Sequence, residues 1–158
     1  MPTFEGSLTT PPGRFAIVAS KFNKDVVDKL VAGAREALSK HGIAEDAVDL
    51  AWVPGAFELP VVAQRLAGSR KYRAVICLGA VIRGDTDHYD YVCRAATDGI
   101  LHAGLATGIP VLFGVLTCDT DEQAHDRAGG KAGNKGADVA LAAIEMVTLM
   151  KQLPDYAL

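Results

Sequence analysis

Apolar positions along the chain fall into short continuous runs separated by stretches with helical spacing. The run Phe15-Ala16-Ile17-Val18-Ala19, bounded by Gly13 and by Ser20-Lys21, predicts a buried strand. Val26, Val27, Leu30, Val31, Ala34, Ala37 and Leu38 then recur at the spacing of one helix face, with Asp25 complementing the start and His41-Gly42 ending it. Val48 to Val53 is a weaker strand signal. Pro54-Gly55 turns the chain into a helix with Leu59, Val62, Ala63 and Leu66 on its inner face, and Pro60 is tolerated because it lies in the first turn. Ala74 to Ile82 contains no charge, the pattern of a parallel strand covered on both faces. After a turn at 84 to 88 come a long helical stretch to about Thr107, a strand from Val111 to Thr117, a Gly-rich loop and a last helix. That helix carries Val139, Ala143, Met146, Val147 and Met150.

Strands alternating with helices in this way predict an α/β fold, an open parallel sheet with helices on both faces, whose ligands sit at the strand C-terminal ends. The length of 158 residues fits one domain spanning 1–158, with Met1 to Pro12 as an extended arm. That arm either pairs with a neighbouring subunit's sheet or frays. Ala95, Gly99 and Ala103, with Ala96, Ile100 and Gly104 beside them, form a smooth stripe on the third helix, suited to the protein's own sheet or to identical helices around a symmetry axis.

Charge narrows the partners. A net charge of −3 with no block of like sign gives no footprint for nucleic acid and no polybasic membrane patch. The start of the chain lacks the pattern of a secretory signal, and no apolar run is long enough to span a bilayer. Cys77, Cys93 and Cys118 are odd in number and lack CxxC spacing, which argues against a disulfide framework or a thiolate zinc site and fits a cytoplasmic protein. His41, His102 and His125 show no metal-ligand spacing and read as surface histidines, so no metal is expected.

The residues with chemistry cluster where the predicted strands end: Lys21-Phe22-Asn23, Pro54 to Glu58, Gly84 to His88, and Phe113 onward. Gly84-Asp85-Thr86 lies between a buried strand and a helix, so its N–H groups converge at a positive helix terminus that suits phosphate. Capping of the helix by Asp85, Thr86 or Asp87 is the competing reading. His88, in the first turn, can exchange protons near neutral pH. Glu58 can accept hydrogen bonds from a hydroxylated ligand or simply complement its helix dipole. Phe22 can stack on a flat ligand, although singly exposed aromatics are ordinary. Arg127 and Lys135 bracket the loop Ala128 to Asn134, a flexible cationic segment suited to an anionic substrate or merely solvated. Neither a P-loop nor GxGxxG is present, so nucleoside triphosphates and dinucleotides are unsupported.

Longer strings carry a resemblance. Arg14-Phe15-Ala16-Ile17-Val18-Ala19-Ser20-Lys21-Phe22-Asn23, Val53-Pro54-Gly55-Ala56-Phe57-Glu58-Leu59-Pro60 and Gly79 to Val92 resemble the lumazine synthases, as do Phe113-Gly114-Val115-Leu116-Thr117 and Asp126 to Gly136. They occur in the family's order over nearly the whole chain. The resemblance implies a flavodoxin-like three-layer αβα sandwich with a central four-stranded parallel sheet, whose N-terminal arm adds a strand to a neighbouring subunit. It implies a transferase of riboflavin biosynthesis that condenses 5-amino-6-(D-ribitylamino)uracil with (S)-3,4-dihydroxy-2-butanone 4-phosphate to 6,7-dimethyl-8-ribityllumazine, without a cofactor.

By the same resemblance Phe22 stacks on the pyrimidine, the backbone of Ala80, Val81 and Ile82 reads its edge, and Ala56, Phe57 and Glu58 hold the ribityl chain. Asp85, Thr86 and Arg127 take the phosphate, Lys135 assists at the anion, and His88 transfers protons. Phe113 and Arg127 are implied to come from an adjacent chain of a pentamer. The short loop from Gly129 to Gly136 implies a shell of sixty subunits rather than a free pentamer. Asp85 stands where the family often has Glu or Gln, and Tyr89 where it often has Phe. Alternatives are a riboflavin synthase of the related type and a flavin-binding shell protein without catalysis.

Overall fold

A computed structural model describes residues 1–155. Its framework is set by two strands whose residues are almost all buried, β1 (Arg14–Ser20) and β3 (Tyr72–Ile82), and by the half-buried edge strand β4 (Val111–Cys118). With β2 (Val48–Val53) they form a sheet in the order β2-β1-β3-β4, every pair parallel. Successive side chains of a strand point to opposite faces, so a sheet covered on both faces needs apolar residues at every position. Accordingly Phe15, Ile17 and Ala19 enter one core layer while Ala16 and Val18 enter the other.

The first layer is closed by α1 (Lys24–Lys40) and α5 (Lys135–Met150), the second by α2 (Leu59–Gly68) and α3 (His88–Thr107). The result is the three-layer flavodoxin-like sandwich that the pattern and the resemblance led one to expect. On α1 the buried face consists of the seven apolar residues whose spacing predicted it. On α5 the buried face is Gly136, Val139, Ala140, Ala143, Ile144 and Val147, while Met150 is exposed; the helix turns its smaller residues inward because it lies close against α1. Part of the small-residue stripe of α3 serves the chain's own packing. A Cβ on Gly99 would meet Pro60 Cγ of α2 at 2.5 Å, and Ala96, Ile100 and Ala103 are buried beneath.

The Gly-rich segment read as a loop contains regular structure. Helix α4 (Asp121–Asp126) is followed by a small antiparallel hairpin of β5 (Ala128–Gly130) and β6 (Gly133–Asn134). The start of α4 is fixed by a capping box, in which Thr120 accepts from the Gln123 N–H and Gln123 accepts from the Thr120 N–H. Within the single chain the N-terminal arm forms no strand. Its backbone meets side chains at and just beyond the end of α5: the Ser7 N–H donates to Thr148 Oγ1 at 2.8 Å, and Gln152 Nε2 donates to the Glu5 carbonyl at 2.6 Å. Among the described residues, no helix is long and apolar enough to cross a membrane. The three cysteines are free, and burial pushes the Cys77 thiol up to about 12.

The N-terminal rim of the sheet is tied by charge. Asp49 on β2 receives Tyr72 Oη at 2.5 Å, Arg14 Nη2 at 2.7 Å and Lys71 Nζ at 3.2 Å. The Tyr72 hydrogen bond, followed by that from Lys71, holds the Asp49 carboxyl at about 2, below its ordinary 3.8. A carboxyl depressed by folding stabilises the fold above its unfolded value and loses that contribution as pH falls toward the folded one. The difference in melting temperature between the protein and Asp49→Asn should therefore hold steady down to about pH 4 and close between about pH 4 and pH 2. Thermal melts across that range check it; a difference independent of pH would contradict the assignment.

Candidate active site

Strand β1 stops pairing with β3 at Ala19 and Leu78, while β3 continues to Ile82. The sheet order reverses at this point, with β2 on one side of β1 and β3 on the other, which is where open α/β sheets leave a crevice. The crevice is a cleft of about 530 Å³. Phe22 enters it from the loop after β1, Gly55 to Glu58 from the 3₁₀ turn after β2, Ala80 to Ile82 from β3, and Gly84, Thr86 and His88 from the turn before α3.

Local structure explains each placement. Lys21 N–H donates to the Val53 carbonyl at 2.8 Å and Phe22 N–H to the Pro54 carbonyl at 3.1 Å, binding the two loops side by side. The Phe22 ring is then left 71% exposed and that of Phe57 61%, both large for isolated apolar groups. Glu58 is half-buried at the head of α2 and makes no capping bond, so its carboxylate is available to a ligand. In the turn, Asp87 is the N-cap residue yet its side chain caps nothing; Thr86 Oγ1 accepts from the His88 N–H at 3.3 Å. Capping is therefore shared by Thr86 alone, and weakly. Asp85 and Asp87 do not line the cleft, and among the described residues the N–H groups of Asp85 and Thr86 have no acceptor. His88 begins α3 and is exposed at the cleft wall.

Phe113, Arg127 and Lys135 lie elsewhere. They line a second cleft of about 460 Å³ along the free edge of β4, together with Thr117, Gln123 and Asp138. Arg127 ends α4, its Nη1 donating to the Gln123 carbonyl at 3.1 Å, and the Lys135 N–H donates to the Arg127 carbonyl at 2.9 Å. The hairpin thus brings the two cations together. Asn134 supports them, because its Oδ1 accepts from the Ala137 N–H at 3.1 Å to cap α5 and its Nδ2 donates to the Lys29 carbonyl of α1 at 3.1 Å. A single chain therefore carries an aromatic and imidazole cleft and a separate cationic one, and does not unite them.

Tyr89 and Val92 line the first cleft without being among the expected site residues; for Val92 the available signal is its position one turn after His88 on the same helix. Arg83 stands beside it, with Nε 2.9 Å from Asp119 Oδ1 and its guanidinium 4.3 Å from the Tyr89 ring centre. His125 is not a free surface histidine. Its Nε2 lies 3.2 Å from Asp25 and 3.4 Å from Asp121, and its Nδ1 3.0 Å from Lys29 Nζ. The ligand atoms of these three acidic and imidazole groups lie within 4.8 Å of one another, but the Lys29 ammonium already supplies the cation there.

A doubly covered parallel sheet with a ligand-sized crevice at its switch point defines a flavodoxin-like α/β protein with a small-molecule site. The family model for 6,7-dimethyl-8-ribityllumazine synthase matches residues 12–151. The chain belongs to the lumazine synthase family, which places it among the transferases of riboflavin biosynthesis, enzymes of small-molecule substrates that typically work as oligomers.

Lys135 owes its position to the close approach of α5 and α1, which Gly136 permits: a Cβ there would run into the Leu30 carbonyl. Backbone cannot yield as a side chain can, so Gly136→Ala should cost about 1–3 kcal/mol of overpacking. The melting temperature should fall by several degrees. An unchanged melting curve would show that the two helices separate freely.

Proposed function

We propose that the protein condenses 5-amino-6-(D-ribitylamino)uracil with (S)-3,4-dihydroxy-2-butanone 4-phosphate to give 6,7-dimethyl-8-ribityllumazine, in the cytoplasm and without a cofactor. The observation that carries this reading is the convergence of Phe22, Ala56 to Glu58, Ala80 to Ile82, Thr86 and His88 on one cleft at the sheet's switch point. Each element of that cleft suits one part of the two substrates. The exposed Phe22 ring stacks on the pyrimidine, and the backbone of Ala80, Val81 and Ile82 meets its polar edge. Glu58, with Ala56 and Phe57, holds the hydroxylated ribityl chain. The unpaired N–H groups of Asp85 and Thr86, with the Thr86 hydroxyl, receive phosphate, and for this the side chain of Asp85 is immaterial.

His88 lies between the phosphate turn and the ring. As the 5-amino group adds to the ketone and water leaves to form the imine, the imidazole carries protons between nitrogen and oxygen. Loss of the proton on C3, next to the imine, gives an enamine whose electron pair expels phosphate from C4. The enol left behind becomes a ketone at C3, and the ribitylamino nitrogen adds there and closes the second ring with loss of a second water. Amines and ketones condense readily once aligned, so most of the acceleration comes from holding the two substrates together.

The phosphate is doubly anionic, yet the first cleft contains no lysine or arginine side chain. Arg127 and Lys135, with Phe113, form the complementary half on the other edge of the chain. Their separation supports a site completed between neighbouring copies; the reading of the assembly as pentamers closing into a shell of sixty rests on the family resemblance and the short loop from Gly129 to Gly136.

The test is direct. The purified protein mixed with both substrates should develop lumazine absorbance; formation of riboflavin from lumazine alone would favour a riboflavin synthase, and neither product would favour a non-catalytic flavin binder. His88→Ala should lower kcat by about 10²-fold, the lower end for general acid–base residues. Total loss of turnover in an assembled variant would refute a mainly positional mechanism. His88→Ala and Arg127→Ala chains produced together should regain activity that neither has alone, because roughly a quarter of randomly formed interfaces would be intact. No recovery in mixed particles, or particles of one chain by light scattering, would overturn the shared site.

A further inference from the structure

Asn23 stands at the N-cap position of α1, where asparagine ordinarily accepts a hydrogen bond from its own helix, but its side chain makes no such bond. Its backbone is left-handed, with φ 58° and ψ 44°, a region that asparagine tolerates better than most residues. The side chain crosses instead to β3, where Nδ2 donates to the Ala80 carbonyl at 3.0 Å. This bond lies just beyond the last β1–β3 pair, Ala19 with Leu78, and so takes the place of the strand partner that β3 has lost.

The loop after β1 is therefore fastened on both sides. Lys21 and Phe22 are held to β2 through the carbonyls of Val53 and Pro54, and Asn23 is held to β3 through Ala80. Phe22 lies within this span. Successive residues of a strand turn their N–H and C=O groups to opposite sides, and the Arg83 N–H is turned to Cys118 of β4. Ala80 and Ile82 consequently face the side that β1 has vacated. With one lone pair of the Ala80 carbonyl taken by Asn23, the N–H and C=O of Ile82 are the pair left open to a ligand edge.

We propose that Asn23 is a positioning residue for the planar heteroaromatic substrate, its tether to Ala80 setting the gap between the Phe22 ring and the β3 edge. The proposal rests on the reading that Phe22 stacks on that substrate. It assigns Asn23 no contact with the phosphate-bearing ketone.

Three variants separate the side-chain tether from the backbone conformation. Asn23→Gly and Asn23→Asp both retain access to the left-handed region but lack the donor, whereas Asn23→Ala loses both. For Asn23→Gly and Asn23→Asp the KM for the ribitylaminouracil should rise about 3- to 10-fold, the loss of one neutral hydrogen bond, with kcat and the KM for the ketone phosphate nearly unchanged. Hydrogen exchange should quicken at the amides of 80–82 and stay slow from Val75 to Leu78. Loss confined to Asn23→Ala, or equal changes in both KM values, would overturn the proposal. If the unaltered protein makes no lumazine, the functional reading fails by itself, and the tether is then judged by exchange alone, where unchanged rates in Asn23→Asp overturn it.

Discussion

Strand β3 is covered on both faces and runs on after β1 has stopped pairing with it. Much of the molecule follows from that one mismatch. Two-sided burial demands apolar side chains along the whole strand and leaves no room for a ligand on either face of the sheet. Chemistry is confined to the ends. At the C-terminal end the extra residues of β3 expose backbone polar groups with no strand beside them, and exposed polar backbone in a crevice is what a small polar ligand can satisfy. At the opposite end, the cluster of Arg14, Lys71 and Tyr72 on Asp49 ties the starts of three strands together and takes no part in the cleft.

The loops at the cleft are held by hydrogen bonds to neighbouring strands rather than by burial. Phe22, Phe57 and His88 are all exposed, yet the backbones that carry them are fixed: that of Phe22 through the Val53, Pro54 and Ala80 carbonyls, that of Phe57 by the Glu58 N–H donating to the Gly55 carbonyl, and that of His88 by the Thr86 hydroxyl. Such an arrangement keeps the reacting side chains open to solvent and to partners while their supports stay rigid, which suits a reaction driven by alignment. The cationic cleft is built differently. There a capped short helix, a hairpin and the capped start of α5 bring Arg127 beside Lys135, and the anchor is the bond from Asn134 Nδ2 to the Lys29 carbonyl of α1.

Strand and helix placement was legible because burial imposes periodicity. The seven inward residues of α1 and the uncharged run of β3 are consequences of having one or two covered faces, and a sequence must display them. The segment after β4 was not legible in that way. Its elements are short, mostly exposed and rich in glycine, so no apolar period marks them; the Thr120 and Gln123 pair that forms the capping box of α4 is a local pattern the sequence reading did not use. His125 likewise looked like a surface residue, since Asp25 and Lys29 are distant in sequence and meet it only through the packing of α4 on α1.

The order of apolar and polar positions by itself determined an alternating α/β chain with its reactive residues at strand ends, and the motif strings pointed to one family. Those properties are local, written in spacing and residue type. Tertiary structure alone decided that Phe22 and His88 share a cleft while Arg127 and Lys135 occupy another, that Asp85 is not among the residues lining the first, and that Asn23 leaves its own helix to hold Ala80. Each of these depends on which strand lies beside which and where one stops short of the next, a matter of packing between distant segments that local spacing does not encode.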